Sequence, residues 1–194
     1  MGHNASVFTQ TAFRFRSVDD AVLNSTVWAA AENVNITIDC HRRFRLRIEM
    51  HETNTGTDST AFKLQYRKNA GTWTDAVYYN ILDPGAAVTG AVVWVGESDQ
   101  YANGDTANDL LTTSGQTHIA GEGRETVTTS SYSLQNESTE FEFTLIIPRW
   151  YGAGASNSDT DTFEFRLVES DGTVFTGGGS SGYDNIPQAT LNVP

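Results

Sequence analysis

Three glutamates offer the first candidate chemistry. Glu140 and Glu142 stand two apart in a Glu-Phe-Glu-Phe run, and Glu164 lies in a second Phe-Glu-Phe. A glycosidase needs two carboxyl groups flanking the scissile bond. Residues i and i+2 of a strand share a face, and here that face alternates with Phe, so these glutamates are expected on the wet side of a sheet. His3, His41, His51 and His118 are scattered, and none pairs with Cys or carboxylates at a metal-binding spacing. Asp99, Asp105 and Asp109 share one polar stretch, and Asp159 and Asp161 another. Neither matches an EF-hand loop, so both read as solvated acidic loops, with calcium at a carboxylate cluster as the alternative. Cys40 follows Ile36 and Ile38 at spacing two and reads as a buried thiol, and as the single cysteine it forms no internal disulfide. No catalytic residue, cofactor or metal ligand is assigned, and the chain is not expected to be an enzyme.

Arg42, Arg43, Arg45 and Arg47 form the one basic cluster in a chain of net charge −12. An anionic partner is one reading. The other is the polar face of a strand opposite Glu140 and Glu142, where opposite charges across a pair stabilise by roughly 0.2–1 kcal/mol. Nucleic-acid binding needs more basic surface than this. Trp94, Tyr101, Trp150, Tyr151 and Tyr183 fall in or beside loops. Such aromatics either cap a core or stack on a partner. With Val7 and Phe8 of the N-terminal segment, Trp94, Tyr101, Trp150 and Tyr151 are the expected partner contacts.

The elements that position these residues are strands. Phe44, Leu46, Ile48 and Met50 alternate with Arg45, Arg47 and Glu49, and Phe62, Leu64 and Tyr66 alternate with Lys63, Gln65 and Arg67. Both runs have the period of a half-buried strand, and the polar link between them is longer than a tight hairpin needs. Glu140–Leu145 and Thr162–Leu167 repeat the signature, so four strands far apart in sequence must cover one another's apolar faces. Asp171-Gly172 predicts a tight hairpin turn. Trp73 is expected in the core or over its end, and Tyr132 with Leu134 to begin a strand leading into Glu140. Residues 189–193 are expected to be a closing edge strand. No stretch has sustained helical periodicity, and none reaches the 18 or so apolar residues of a membrane span. The N-terminal MGHNASVFTQT lacks the pattern of a signal peptide. The expected organisation is an extended arm over residues 1–12 and one all-β domain over 13–194, an antiparallel immunoglobulin-like or jelly-roll-like sandwich with long loops.

The order Phe-Arg-Leu-Arg, Asn-Thr-Gly-Thr, Phe-Lys-Leu-Gln-Tyr, Gly-Thr-Trp-Thr-Asp across 44–75 resembles immunoglobulin-like β-sandwich modules of tailed-bacteriophage virion and surface proteins. Asn108-Asp-Leu-Leu, Ile119-Ala-Gly-Glu-Gly-Arg-Glu, Ser138-Thr-Glu-Phe-Glu-Phe-Thr-Leu, Thr162-Phe-Glu-Phe-Arg-Leu-Val and Asn185-Ile-Pro-Gln-Ala-Thr-Leu are similar to the later part of such a module. The resemblance carries no catalytic residues. A module standing nearly alone implies a capsid decoration (cement) protein on the outer surface of a phage head, made in the host cytoplasm. Its implied partners are the major capsid protein and copies of itself, as a homotrimer, with no nucleic acid and no membrane. The alternative is a tail or fibre module that binds host-surface glycans through its loop aromatics.

Overall fold

The computed structural model describes residues 6–56, 58–79, 93–111, 115–150, 156–177 and 182–194. Tyr151 and residues 1–5 lie outside them. The described chain forms fourteen strands and no helix. They are β1 (Phe8–Arg16), β2 (Ile36–Asp39), β3 (Arg43–Glu52), β4 (Thr60–Lys68), β5 (Thr74–Asp75), β6 (Val77–Tyr79) and β7 (Trp94–Gly96). After them come β8 (Thr106–Ala107), β9 (Thr117–His118), β10 (Gly121–Arg124), β11 (Thr128–Tyr132), β12 (Glu137–Ile146), β13 (Thr162–Glu169) and β14 (Gln188–Asn192).

These strands build two sheets packed as a sandwich, so the all-β expectation holds. One sheet runs β1-β3-β12-β10-β8, with β6, β7 and β9 joined at its margins, and the other runs β11-β4-β13-β14-β2, with β5 on β4. The long pairs β1–β3, β3–β12 and β4–β13 are antiparallel, as expected. The sheets as wholes are mixed, because β10 and β9 lie parallel to β12, β2 parallel to β14 and β6 parallel to β7.

The four strands with the shared signature do cover one another. β3 pairs with β12 in one sheet and β4 with β13 in the other. The long link between β3 and β4 is therefore a crossing from sheet to sheet. Phe44, Leu46, Ile48, Phe141 and Phe143 point inward from one side, and Phe62, Leu64, Phe163, Phe165 and Leu167 from the other, all fully buried. Aromatic contacts bridge the sheets: Phe44 to Phe165 at 6.3 Å and Phe62 to Phe141 at 5.7 Å between ring centroids. Each fully buried Phe contributes about 1.5–3 kcal/mol through the water it leaves.

Other expectations shift in detail. The first strand begins at Phe8 rather than Phe13, so residues 8–12 of the expected extended arm lie in a paired, buried strand. The stretch after Trp73, expected in the core or over its end, is split between two short strands. β5 pairs with β4 and β6 with β7, and buried Ala76 marks the change of sheet. Likewise β11 ends at Tyr132, and the chain passes buried Leu134 to enter β12 in the opposite sheet. β14 is interior, held between β13 and β2, so β2 is the outer strand there. Asp171-Gly172 does turn the chain, with Gly172 at φ 99° and the Glu169 amide donating to the Thr173 carbonyl, but no paired strand follows directly.

Candidate functional site: a buried charge layer

The outer face of the β1-β3-β12 sheet is not wet. Arg45, Arg47, Glu49, Glu140 and Glu142 are each 0% exposed. Strand register explains how they meet: Glu142 lies opposite Arg47, and Arg16 opposite Arg45, which in turn faces Thr144. Arg47 reaches both glutamates, with Nε 2.6 Å from Glu142 Oε2 and Nη1 2.8 Å from Glu140 Oε2. Arg16 Nε lies 3.0 Å and Arg45 Nη1 2.9 Å from Glu142 Oε1, and Arg45 Nε pairs with Asp19 at 3.2 Å. Three cations thus meet three anions, which is how charges survive out of water.

Two loops cover this layer, and the arginines tie them down. The carbonyls of Ala21, Leu23, Ser25 and Val27 lie outside any strand ladder and accept from arginines instead. Leu23 O receives Arg16 Nη2 at 3.2 Å and Arg47 Nη2 at 2.8 Å, Ser25 O receives Arg16 Nη2 at 2.6 Å, and the carbonyls of Ala21 and Val27 receive Arg45 and Arg16. From the second loop, Asn108 O receives Arg47 Nη1 at 2.9 Å. Aromatic rings complete the cover. Trp28 lies over Arg16 at 4.0 Å, and Tyr101 lies over Arg45 at 5.6 Å, with its hydroxyl 2.8 Å from Thr144 Oγ1. Cation–π contacts of this kind strengthen once desolvated. Burial lowers the Arg16 pKa against the opposing pull of Glu142. Burial raises the Glu140 pKa, opposed by Arg47 and by the amides of Leu111 and Leu110 that donate to Oε1.

Next to Glu140 stand two residues from the covering segments. His118, on β9, is brought beside β12 by the pairing of His118 with Ser138. Asp109 precedes it in the chain, and one ligand atom each of Asp109, His118 and Glu140 lies within 4.8 Å of the others. The approach is tight: a Cβ added at Gly121 meets the Glu140 carbonyl oxygen at 1.8 Å. The reading of the histidines as isolated missed this group, since Asp109 and Glu140 reach His118 through the fold rather than along the sequence.

The expected contact residues separate. Phe8 is a core residue, 5.0 Å from Phe62 between centroids, and Tyr101 is a buried cover over the charge layer. Each apolar ring of that size is worth more inside than on a surface, which decides its place. Val7 is half-buried beside β1, its amide donating to Glu52 Oε1 at 3.1 Å. Trp94 stacks on Tyr79 at 4.5 Å and 12°. Trp150 is 60% exposed, with Arg149 at 5.3 Å from its ring. Trp73 lies on the outer face of the second sheet against Arg166 at 4.3 Å and Arg67 at 4.7 Å. The basic cluster turns mostly inward, leaving Arg42 exposed and Arg43 paired with Asp99 at 2.6 Å. Of the roles missed in sequence, Arg16 had a signal, as the alternating partner of Phe15, whereas Trp28 and Asp19 had none.

No family model, curated protein or solved structure matches this chain.

Proposed function

We propose that this chain is a structural binding module: a decoration protein on the outer surface of a tailed-phage capsid, bridging capsomers as copies of itself and of the major capsid protein meet. One observation carries the non-catalytic part. Glu140 and Glu142 are the carboxylates of the Glu-Phe-Glu-Phe run, and both are 0% exposed and held by Arg47. Carboxylates committed to an arginine in this way are poorly suited to exchange a proton with a substrate. The charge layer instead pins two long loops to a sheet and keeps their outer surface in a fixed shape, which suits docking. The virion part is supported by the resemblance of the strand motifs to phage modules. Its test is reconstitution. Purified heads lacking the protein are mixed with it and sedimented. Saturable binding at a simple ratio to the major capsid protein is expected, and a protein that stays in the supernatant contradicts the reading.

A second reading is favoured by Trp150. A ring 60% exposed beside Arg149 offers a stacking surface for a sugar, as a tail or fibre module would use. In that case Trp150→Ala lowers adsorption to host cells; under the decoration reading adsorption is unchanged.

A further inference from the structure

We propose that Asp109, His118 and Glu140 bind one divalent transition-metal ion, Zn²⁺ by choice of ligands. The first observation is convergence: three side chains from separate segments bring ligand atoms within 4.8 Å of one another. The second is the state of His118. Its side chain is only 11% exposed, and both ring nitrogens are buried with no hydrogen-bond partner. Its nearest charged neighbour is Asp109 Oδ1, 4.0 Å from Nδ1, beyond hydrogen-bond reach. Buried polar atoms are almost always satisfied, so an imidazole with two orphaned nitrogens asks for a partner. A metal ion at one nitrogen supplies it.

The surroundings suit a metal. Glu140 is oriented before any ion arrives: Leu110 and Leu111 amides hold Oε1 at 2.9 and 2.7 Å, and Arg47 holds Oε2 at 2.8 Å. Such outer partners fix a ligand's direction, and Oε2 retains a free lone pair. Asp109 is the solvent-facing member, with its side chain 52% exposed, so the group is open to water on that side. A tetrahedral ion with bonds of about 2.0–2.2 Å sets its ligand atoms about 3.4 Å apart, so binding draws together atoms that here lie within 4.8 Å of one another. One imidazole with two carboxylates and an open position fits Zn²⁺. Calcium takes six to eight oxygens and has little use for the imidazole, and Zn²⁺ outranks Mn²⁺ at mixed nitrogen and oxygen sites.

The test titrates metal-stripped protein with ZnCl₂ by calorimetry, alongside His118→Gln and Asp109→Asn, with circular dichroism as the folding control. His3, His41 and His51 remain in both variants. One Zn²⁺ per chain is expected. Each substitution should weaken binding by more than the roughly 10–100-fold that loss of an outer-shell partner costs. Asp109 is exposed, so Asp109→Asn folds even if His118→Gln does not. Absence of binding to the unaltered protein overturns the proposal, and so does binding that survives substitution of either ligand in a folded variant.

Discussion

Arg47 Nε stands 2.6 Å from Glu142 Oε2, with both side chains wholly out of water. The pair sits on the outer face of a sheet, where alternation places the polar residues, yet two loops have closed over it. Removing one member strands the other charges. Arg47→Met is therefore expected to destabilise the fold by about 3–5 kcal/mol, measured by urea unfolding. Arg42→Met removes a pair 67% and 44% exposed and should change stability by no more than about 1 kcal/mol.

Phe8 tests whether the N-terminal segment belongs to the core. It is 3% exposed and touches Phe62 and Phe175. Phe8→Ala should cost about 3–5 kcal/mol in the same assay. An unchanged midpoint would show that the Phe8 ring adds nothing to the core.

Glu52 gives a pH dependence with a definite sign. It is fully buried, and although burial alone would raise its pKa, the amides of Asn136, Val7, Asn54 and Gly56 bring it below the usual carboxylate value. A pKa depressed in the folded state gives stability that is present above the unfolded value, near 4.5, and lost as pH falls through the folded value. Glu52→Gln should cost about 1–3 kcal/mol at pH 7 by leaving amides poorly matched. The gap to the unaltered protein should narrow as unfolding is repeated at progressively lower pH below 4.5.

Gly121 is the close approach of β10 to β12. Its added Cβ meets backbone, the Glu140 carbonyl oxygen, which cannot swing away. Gly121→Ala should destabilise by about 1–3 kcal/mol through forced backbone shift, seen as a lowered thermal midpoint.

Much of the framework was legible because period-two alternation survives in β3, β4, β12 and β13, each with a continuous apolar face. What alternation leaves open is what lies over the other face. Arg45, Arg47, Glu140 and Glu142 read as solvated because nothing in their spacing reports the loops at 17–30 and 97–111. Those segments carry no regular pattern, and many of their bonds to the layer run through backbone carbonyls and amides, which nearly every residue possesses. The facing of Arg47 and Glu142 was legible, since opposite charges recur at matching strand positions. Leu134 and Ala76 hid changes of sheet for a related reason: one small or aliphatic residue between two strands looks like continuity. The group at Asp109, His118 and Glu140 depends on β9 pairing parallel to β12, a contact of two residues that leaves no periodic trace.

The proposed decoration role makes this sandwich a repeated part of a virion shell. The direct measurement is its copy number in purified particles, by quantitative mass spectrometry against the major capsid protein. A decoration protein is expected at a ratio near one or a simple fraction such as one third. A handful of copies would assign the protein to the tail, and its absence from particles would contradict a virion role altogether.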